Sequence, residues 1–200
     1  MVLLKQLLNE LETGGTAMST SVTAPPVKWL YDSGKLKGNI VDYGAGLGRN
    51  SVFLRSKELK VYSYDPYKGN SIDGYIGVSN ITPTDKFDVG FTCYVLNVTD
   101  VELERDIINK VAALSNKSYH IVRNMDVAAM IKDALARKDK RVVASFIKYG
   151  GDINNYNATD IMKFANVGTD TIKGFQRIPF LEKDGFQLIH TKPGYKIYTK

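Results

Sequence analysis

Residues 40–50 read Ile-Val-Asp-Tyr-Gly-Ala-Gly-Leu-Gly-Arg-Asn, and no other segment constrains the chain as much. A short apolar run closes on glycines at alternate positions, and a helical pattern through Ser51-Val52-Phe53-Leu54 follows. Glycines in such a turn let the backbone pass close to a ligand with no side chain in the way. Strand, glycine turn and helix in that order begin a βαβ unit. The alternation continues, with a strand at Lys60–Tyr64 ending at Asp65-Pro66, a weaker one at Gly74–Val78, a fourth at Asp88–Val95 and a fifth at Ser118–Val122. Asp100 opens a helix through Leu103, Ile107 and Val111, with Glu102 and Glu104 well placed near its positive N-terminal end. This pattern predicts an α/β fold with a doubly wound, mostly parallel sheet.

The ends of the chain read differently. Leu4, Leu7, Leu8 and Leu11 lie at helical spacing, and a Gly/Ser/Thr-rich break follows, so residues 1–24 read as an N-terminal helix and linker. That helix either packs on the domain or serves as an arm for self-association. Pro25-Pro26 starts a helix through Leu30, because a missing N–H costs nothing in a first turn. Residues 25–200 read as one domain. Asp126 is a candidate cap for a helix through Leu135, and 149–176 reads as a long excursion with a helix near Asp160–Phe164. Gly185–His190, a Lys-Pro-Gly turn and Tyr195–Tyr198 predict a closing β-hairpin.

Charge is unevenly spread. The net charge is +6, yet residues 1–116 carry −1 and residues 117–200 carry +7. An anionic partner such as nucleic acid or a phosphorylated metabolite fits a basic C-terminal part. The run Ala136-Arg137-Lys138-Asp139-Lys140-Arg141 reads more simply as a solvated helix face, since no aromatic residue interleaves it. No run of 18 apolar residues exists, and the opening segment lacks a secretory signal's long apolar core. Cys93 is the single cysteine; with two histidines it excludes an internal disulfide and the usual zinc sites. A reducing, cytoplasmic setting is expected.

Asp65 follows Gly44 by 21 residues, at the end of the next strand, where a carboxylate can accept both hydroxyls of a ribose. Glycine turn and strand-end acid together are what holding an adenosine requires. Asp42, two residues before the first glycine, separates the adenosine cofactors: its charge would repel a pyrophosphate but suits an ammonium, directly or through water. S-adenosylmethionine is therefore favoured over a nicotinamide dinucleotide.

With these residues in view, the chain resembles class I S-adenosylmethionine-dependent methyltransferases over roughly residues 20–200, through Val41–Gly48, Asp65 and the final hairpin. It is also similar to methyltransferase-like bacterial and phage proteins associated with DNA phosphorothioation. That likeness rests on Pro26-Val27-Lys28, Asp42-Tyr43-Gly44, Asp65-Pro66-Tyr67, Tyr94–Val98 and Gly174–Arg177. Residues 149–172 depart from that group. The resemblance implies a Rossmann-like methyltransferase fold and contacts to methionine and ribose from Asp42, Gly44, Ala45, Gly46 and Gly48. It further implies ribose binding by Asp65, with Pro66, Asn80 and Ile81 near the adenine. Tyr94 and Asn97 would stand where the methyl group points, as catalytic candidates; the plainer readings are a core aromatic and a helix cap.

What is missing narrows the acceptor. The fourth strand ends in Val-Leu-Asn-Val-Thr, without the Pro-Pro turn that receives an exocyclic base amine. Cys93 lacks a Pro-Cys context and reads as core, and His120 and His190 read as structural. Alignment alone can suffice for transfer from an activated donor, so a missing acid–base motif leaves activity open. Three other readings remain: a binding protein without transfer activity, a nicotinamide-dependent oxidoreductase, and an enzyme that degrades S-adenosylmethionine. The oligomeric state and the acceptor are not legible.

Overall fold

The computed structural model describes residues 22–65, 75–76, 86–167, 178–179 and 181–200. The expected helix over residues 3–12 and the segment Gly174–Arg177 lie outside these. In chain order the elements are α1 (Pro25–Asp32), β1 (Asn39–Tyr43), α2 (Arg49–Arg55), β2 (Lys60–Tyr64), β3 (Tyr75–Ile76) and β4 (Phe87–Cys93). A 3-10 turn (Leu96–Val98) leads to α3 (Val101–Leu114), β5 (Ser115–Arg123), α4 (Met125–Ala136), α5 (Lys140–Lys148) and α6 (Ala158–Val167). A second 3-10 turn (Leu181–Asp184) precedes β6 (Gln187–Lys192) and β7 (Tyr195–Thr199).

The seven strands form one sheet in the order β3-β2-β1-β4-β5-β7-β6. β1 to β5 are parallel, and β7 runs antiparallel to both β5 and β6. β2 lies on one side of β1 and β4 on the other, so the sheet reverses its winding between β1 and β4. That is where an open α/β sheet leaves a crevice at its carboxyl edge.

Alternation along the strands divides the apolar side chains between the two faces. On one face Val27 and Leu30 of α1 and Leu54 of α2 pack on Ile40, Val61, Phe91, Ile121 and Ile197. On the other, Ile107, Ile108 and Val111 of α3 pack on Tyr43, Val122 and Tyr198. Val27 and Leu30, three residues apart, are fully buried, each contributing ~1.5–3 kcal/mol. Gly90 is what lets α3 approach: a Cβ there would lie 2.7 Å from Ser115 Oγ and 2.8 Å from Val111 Cγ1. Asp100 caps α3 by accepting the Leu103 N–H at 2.8 Å. Asp100→Ala is expected to cost ~0.5–2 kcal/mol, read from the midpoint of urea unfolding.

Three expectations change. The helix through Leu135 starts at Met125 behind Asn124, so Asp126 lies inside its first turn and is not its cap. The charged run 136–141 is not one helix face but the junction of two helices. α4 ends at Ala136, Lys138 takes φ +55, and the Asp139 carboxylate accepts the Arg141 and Val142 N–H groups to start α5. β5 also starts earlier than its apolar run, because Ser115 pairs with Phe87 and Lys117 with Val89. α4, α5 and α6 close on a cluster of their own, around Val127, Ile131, Phe146, Phe164 and Ile178. No helix among the described residues is long and apolar enough to cross a membrane.

Both histidines make structural contacts. His120 is fully buried in β5 with Nδ1 3.0 Å from Thr92 Oγ1, and burial lowers its pKa to about 3. The His190 ring stacks on Trp29 at 4.0 Å, with Nε2 3.3 Å from the Tyr195 hydroxyl.

Candidate functional site

The glycine turn follows β1, at the reversal point of the sheet. Gly44, Gly46 and Gly48 take φ +81, +58 and +74, in the left-handed region that glycine enters without strain. The turn is anchored to the end of β2. Gly44 and Ala45 N–H donate to the Tyr64 carbonyl at 2.7 and 3.0 Å, and Gly46 N–H donates to Asp65 Oδ2 at 2.8 Å. Asp65 thus already holds the turn in shape. Gly48 then caps α2, whose Arg55 reaches back to β2 through the Val61 carbonyl and the Ser63 hydroxyl.

Asp42 points from β1 toward α2 and is fully buried. Its Oδ2 accepts the Ser51 hydroxyl at 2.8 Å, while Oδ1 has no hydrogen-bond partner among the described residues. Burial raises its pKa to about 7; Asp65 adds to the rise, and the Ser51 bond, Arg55 and Arg49 oppose it. A buried carboxyl oxygen without a partner is costly, and a donor brought by a cationic ligand or a water would relieve it.

The opposite wall of the crevice comes from the end of β4. Tyr94 takes φ +63, rare for a residue with a large side chain and characteristic of constrained sites. Its N–H donates to the Ile121 carbonyl at 2.9 Å. Burial raises the phenol's pKa above its usual range, and the charges of Arg123, Asp126 and Arg49 act on it as well. Asn97 sits lower, almost fully buried, its Oδ1 accepting the Arg123 N–H at 2.8 Å. It ties the turn after β4 to the end of β5. Asp126 accepts from Arg123 Nε at 2.7 Å and from the Asn124 N–H at 3.2 Å, fixing the first turn of α4.

The structure therefore gathers Asp42, Gly44, Ala45, Gly46, Gly48, Asp65, Tyr94 and Asn97 at one edge of the sheet. Pro66, Asn80 and Ile81 lie outside the described residues. Sequence reasoning missed Ser51, Arg49 and Arg123, and read Asp126 as a helix cap instead of a partner of Arg123. The spacing of Arg123 and Asp126, three apart at a strand-to-helix turn, was the one available signal for that pair. Cys93 is half-buried, and burial pushes its thiol upward, away from a ready nucleophile.

No protein-family model and no curated protein sequence matches the chain. Solved structures do. One accompanies work on the conversion of a disulfide bond into a thioacetal group during echinomycin biosynthesis. It is 10% identical with a TM-score of 0.59, covering 98% of this chain and 92% of its own. A Burkholderia thailandensis 1,6-didemethyltoxoflavin-N1-methyltransferase, solved with S-adenosylhomocysteine, is 11% identical with a TM-score of 0.48, covering 98% and 84%. Magnesium protoporphyrin IX methyltransferase from Synechocystis PCC 6803, also solved with S-adenosylhomocysteine, is 16% identical with a TM-score of 0.47, covering 87% and 78%. At these identities the likeness is one of fold. The chain has a Rossmann-like α/β fold, its sheet mostly parallel and closed by an antiparallel hairpin.

Proposed function

We propose that the protein binds S-adenosylmethionine at the β1–β2 edge and transfers its methyl group to an acceptor at the β4–β5 edge. The observation that carries this reading is the fully buried Asp42 carboxyl, with one oxygen lacking a partner among the described residues, beneath a glycine turn held by Asp65. An ammonium suits that oxygen and a pyrophosphate does not, which favours this cofactor over a dinucleotide. When bound, the cofactor supplies an activated methyl group on a sulfonium. The chain's own work is placement. Asp65 would take the ribose hydroxyls, the glycine turn leaves room for the methionine moiety, and Tyr94 borders the path of the methyl group. Asn97 would act through Arg123, by holding the end of β5 in place. Pro66, Asn80 and Ile81 are assigned to the adenine on the family resemblance alone.

The narrower likeness to phosphorothioation-associated proteins, the bacterial or phage context and a cytoplasmic location belong to the same proposal and rest on sequence. Calorimetric titration with S-adenosylhomocysteine alongside NAD tests the cofactor. Micromolar binding of the first and none of the second is expected; no binding of either removes the enzyme reading. Product formed without added acceptor would instead favour cofactor breakdown. Asp65→Ala is expected to weaken S-adenosylhomocysteine binding about tenfold or more, since charged hydrogen bonds contribute ~1.5–3 kcal/mol. Unchanged affinity would misplace the ribose.

A further inference from the structure

Resting on that reading, we infer that the cofactor enters with release of a proton from Asp42 to solvent, and that Ser51 is the positioning residue that steadies the ionised carboxylate. The local packing sets this up. Asp42 and Ile40, two apart on β1, share the face that α1 and α2 cover. Ser51, in the first turn of α2, donates its hydroxyl to Asp42 Oδ2 at 2.8 Å, and both side chains are fully buried. Asp126 has a guanidinium and a backbone N–H as donors. Asp42 has one neutral donor, and its Oδ1 has none among the described residues. A carboxylate taken out of water with a single hydroxyl for company keeps its proton to a higher pH.

The charged and titratable groups around it do not reverse this. Asp65, at the end of β2, adds to the effect, while Arg55 and Arg49 of α2 oppose it. Arg55 is turned to β2, on the Val61 carbonyl and the Ser63 hydroxyl. The Cys93 thiol, at the end of β4, is itself pushed up by burial and stays neutral. Burial outweighs these charges and the Ser51 bond, and the carboxyl titrates at about 7. An ammonium brought beside it favours the ionised form, so the proton leaves as the ligand arrives and one positive charge replaces another. Ser51 donates to that ionised form. By engaging Oδ2 it also leaves Oδ1 as the oxygen that faces the ligand's ammonium.

The test is calorimetric titration of the full chain with S-adenosylhomocysteine in phosphate and in imidazole, two buffers of very different ionisation enthalpy. At pH 7 the heats are expected to differ by the uptake of about half a proton per ligand bound. Affinity is expected to be about tenfold weaker at pH 6 than at pH 8. Methylthioadenosine, which keeps the nucleoside and the thioether but has no ammonium, is expected to release no proton. Asp42→Asn is expected to abolish the release and flatten the pH profile. Ser51→Ala is expected to move the midpoint of the profile up by about one pH unit, which a merely structural role would not do. Equal heats in the two buffers, equal affinity at pH 6 and pH 8, or equal release with methylthioadenosine overturns the inference. An unmoved midpoint in Ser51→Ala overturns it as well. The parent protein with its two ligands decides the coupling even where a variant fails to fold. In each of these cases tight S-adenosylhomocysteine binding leaves the cofactor reading standing. Its absence at every pH overturns both.

Discussion

Asp42→Asn is expected to make the protein more stable at pH 8 while weakening its hold on a cationic cofactor. The carboxyl titrates at about 7 in the folded chain, against about 4 unfolded. Between those values the folded state keeps a proton that the unfolded state has released. Stability therefore falls as pH rises from about 4 to about 7, and the full cost applies above that. Three pH units of difference correspond to ~4 kcal/mol at most. An amide is never ionised and can still accept the Ser51 hydroxyl, so a gain of ~2–4 kcal/mol at pH 8 and little at pH 4.5 is expected. His120 acts in the opposite sense. Its folded pKa of about 3 means that stability rises with pH up to about 6.5. In the parent the two slopes cancel over most of pH 4–6.5; in Asp42→Asn the histidine slope emerges at ~1.4 kcal/mol per pH unit. Urea unfolding across that range reads both effects. An equal gain at pH 4.5 and pH 8 would show that ionisation of Asp42 is not the cause.

Gly44→Ala is expected to destabilise by ~2–5 kcal/mol, from two separable causes. A side chain at φ +81 costs ~1–2 kcal/mol. The added Cβ would also lie 2.5 Å from Val95 Cγ2, an overlap that costs a further ~1–3 kcal/mol. For a chain of this length the melting temperature falls by roughly 5–15 °C. Adding Val95→Ala relieves the overlap and leaves the backbone cost. Gly150→Ala is the matched control, at φ +82 with open space around it, and is expected to lose only the backbone share. If both glycine substitutions cost the same, Val95 does not press on the turn.

The sequence exposed the parts of the fold that depend on local pattern. β2 begins and ends where predicted and β1 closes on the predicted glycine turn, because the two runs pair in register along their whole length. α3 was equally legible through its Asp100 cap. The break at Lys138 was not, because Arg-Lys-Asp-Lys-Arg fits a charged helix face as well as a turn, and only the capping role of Asp139 decides. The site divides in the same way. The glycine turn and Asp65 are local features tied to strand ends. The Ser51–Asp42 bond, the left-handed backbone of Tyr94 and the Asn97–Arg123 bond depend on strands and helices meeting, which spacing alone does not encode.

Helices α4, α5 and α6 enclose an apolar centre separate from those on either side of the sheet. Changes at Val127, Phe146 or Phe164 are therefore felt first among these helices and not beneath the glycine turn. Descent with modification gains freedom from this. Helices α4 to α6 can be rewritten from lineage to lineage, and on the proposed function what meets the methyl group would change with them, while the glycine turn and the strands that carry it are inherited intact.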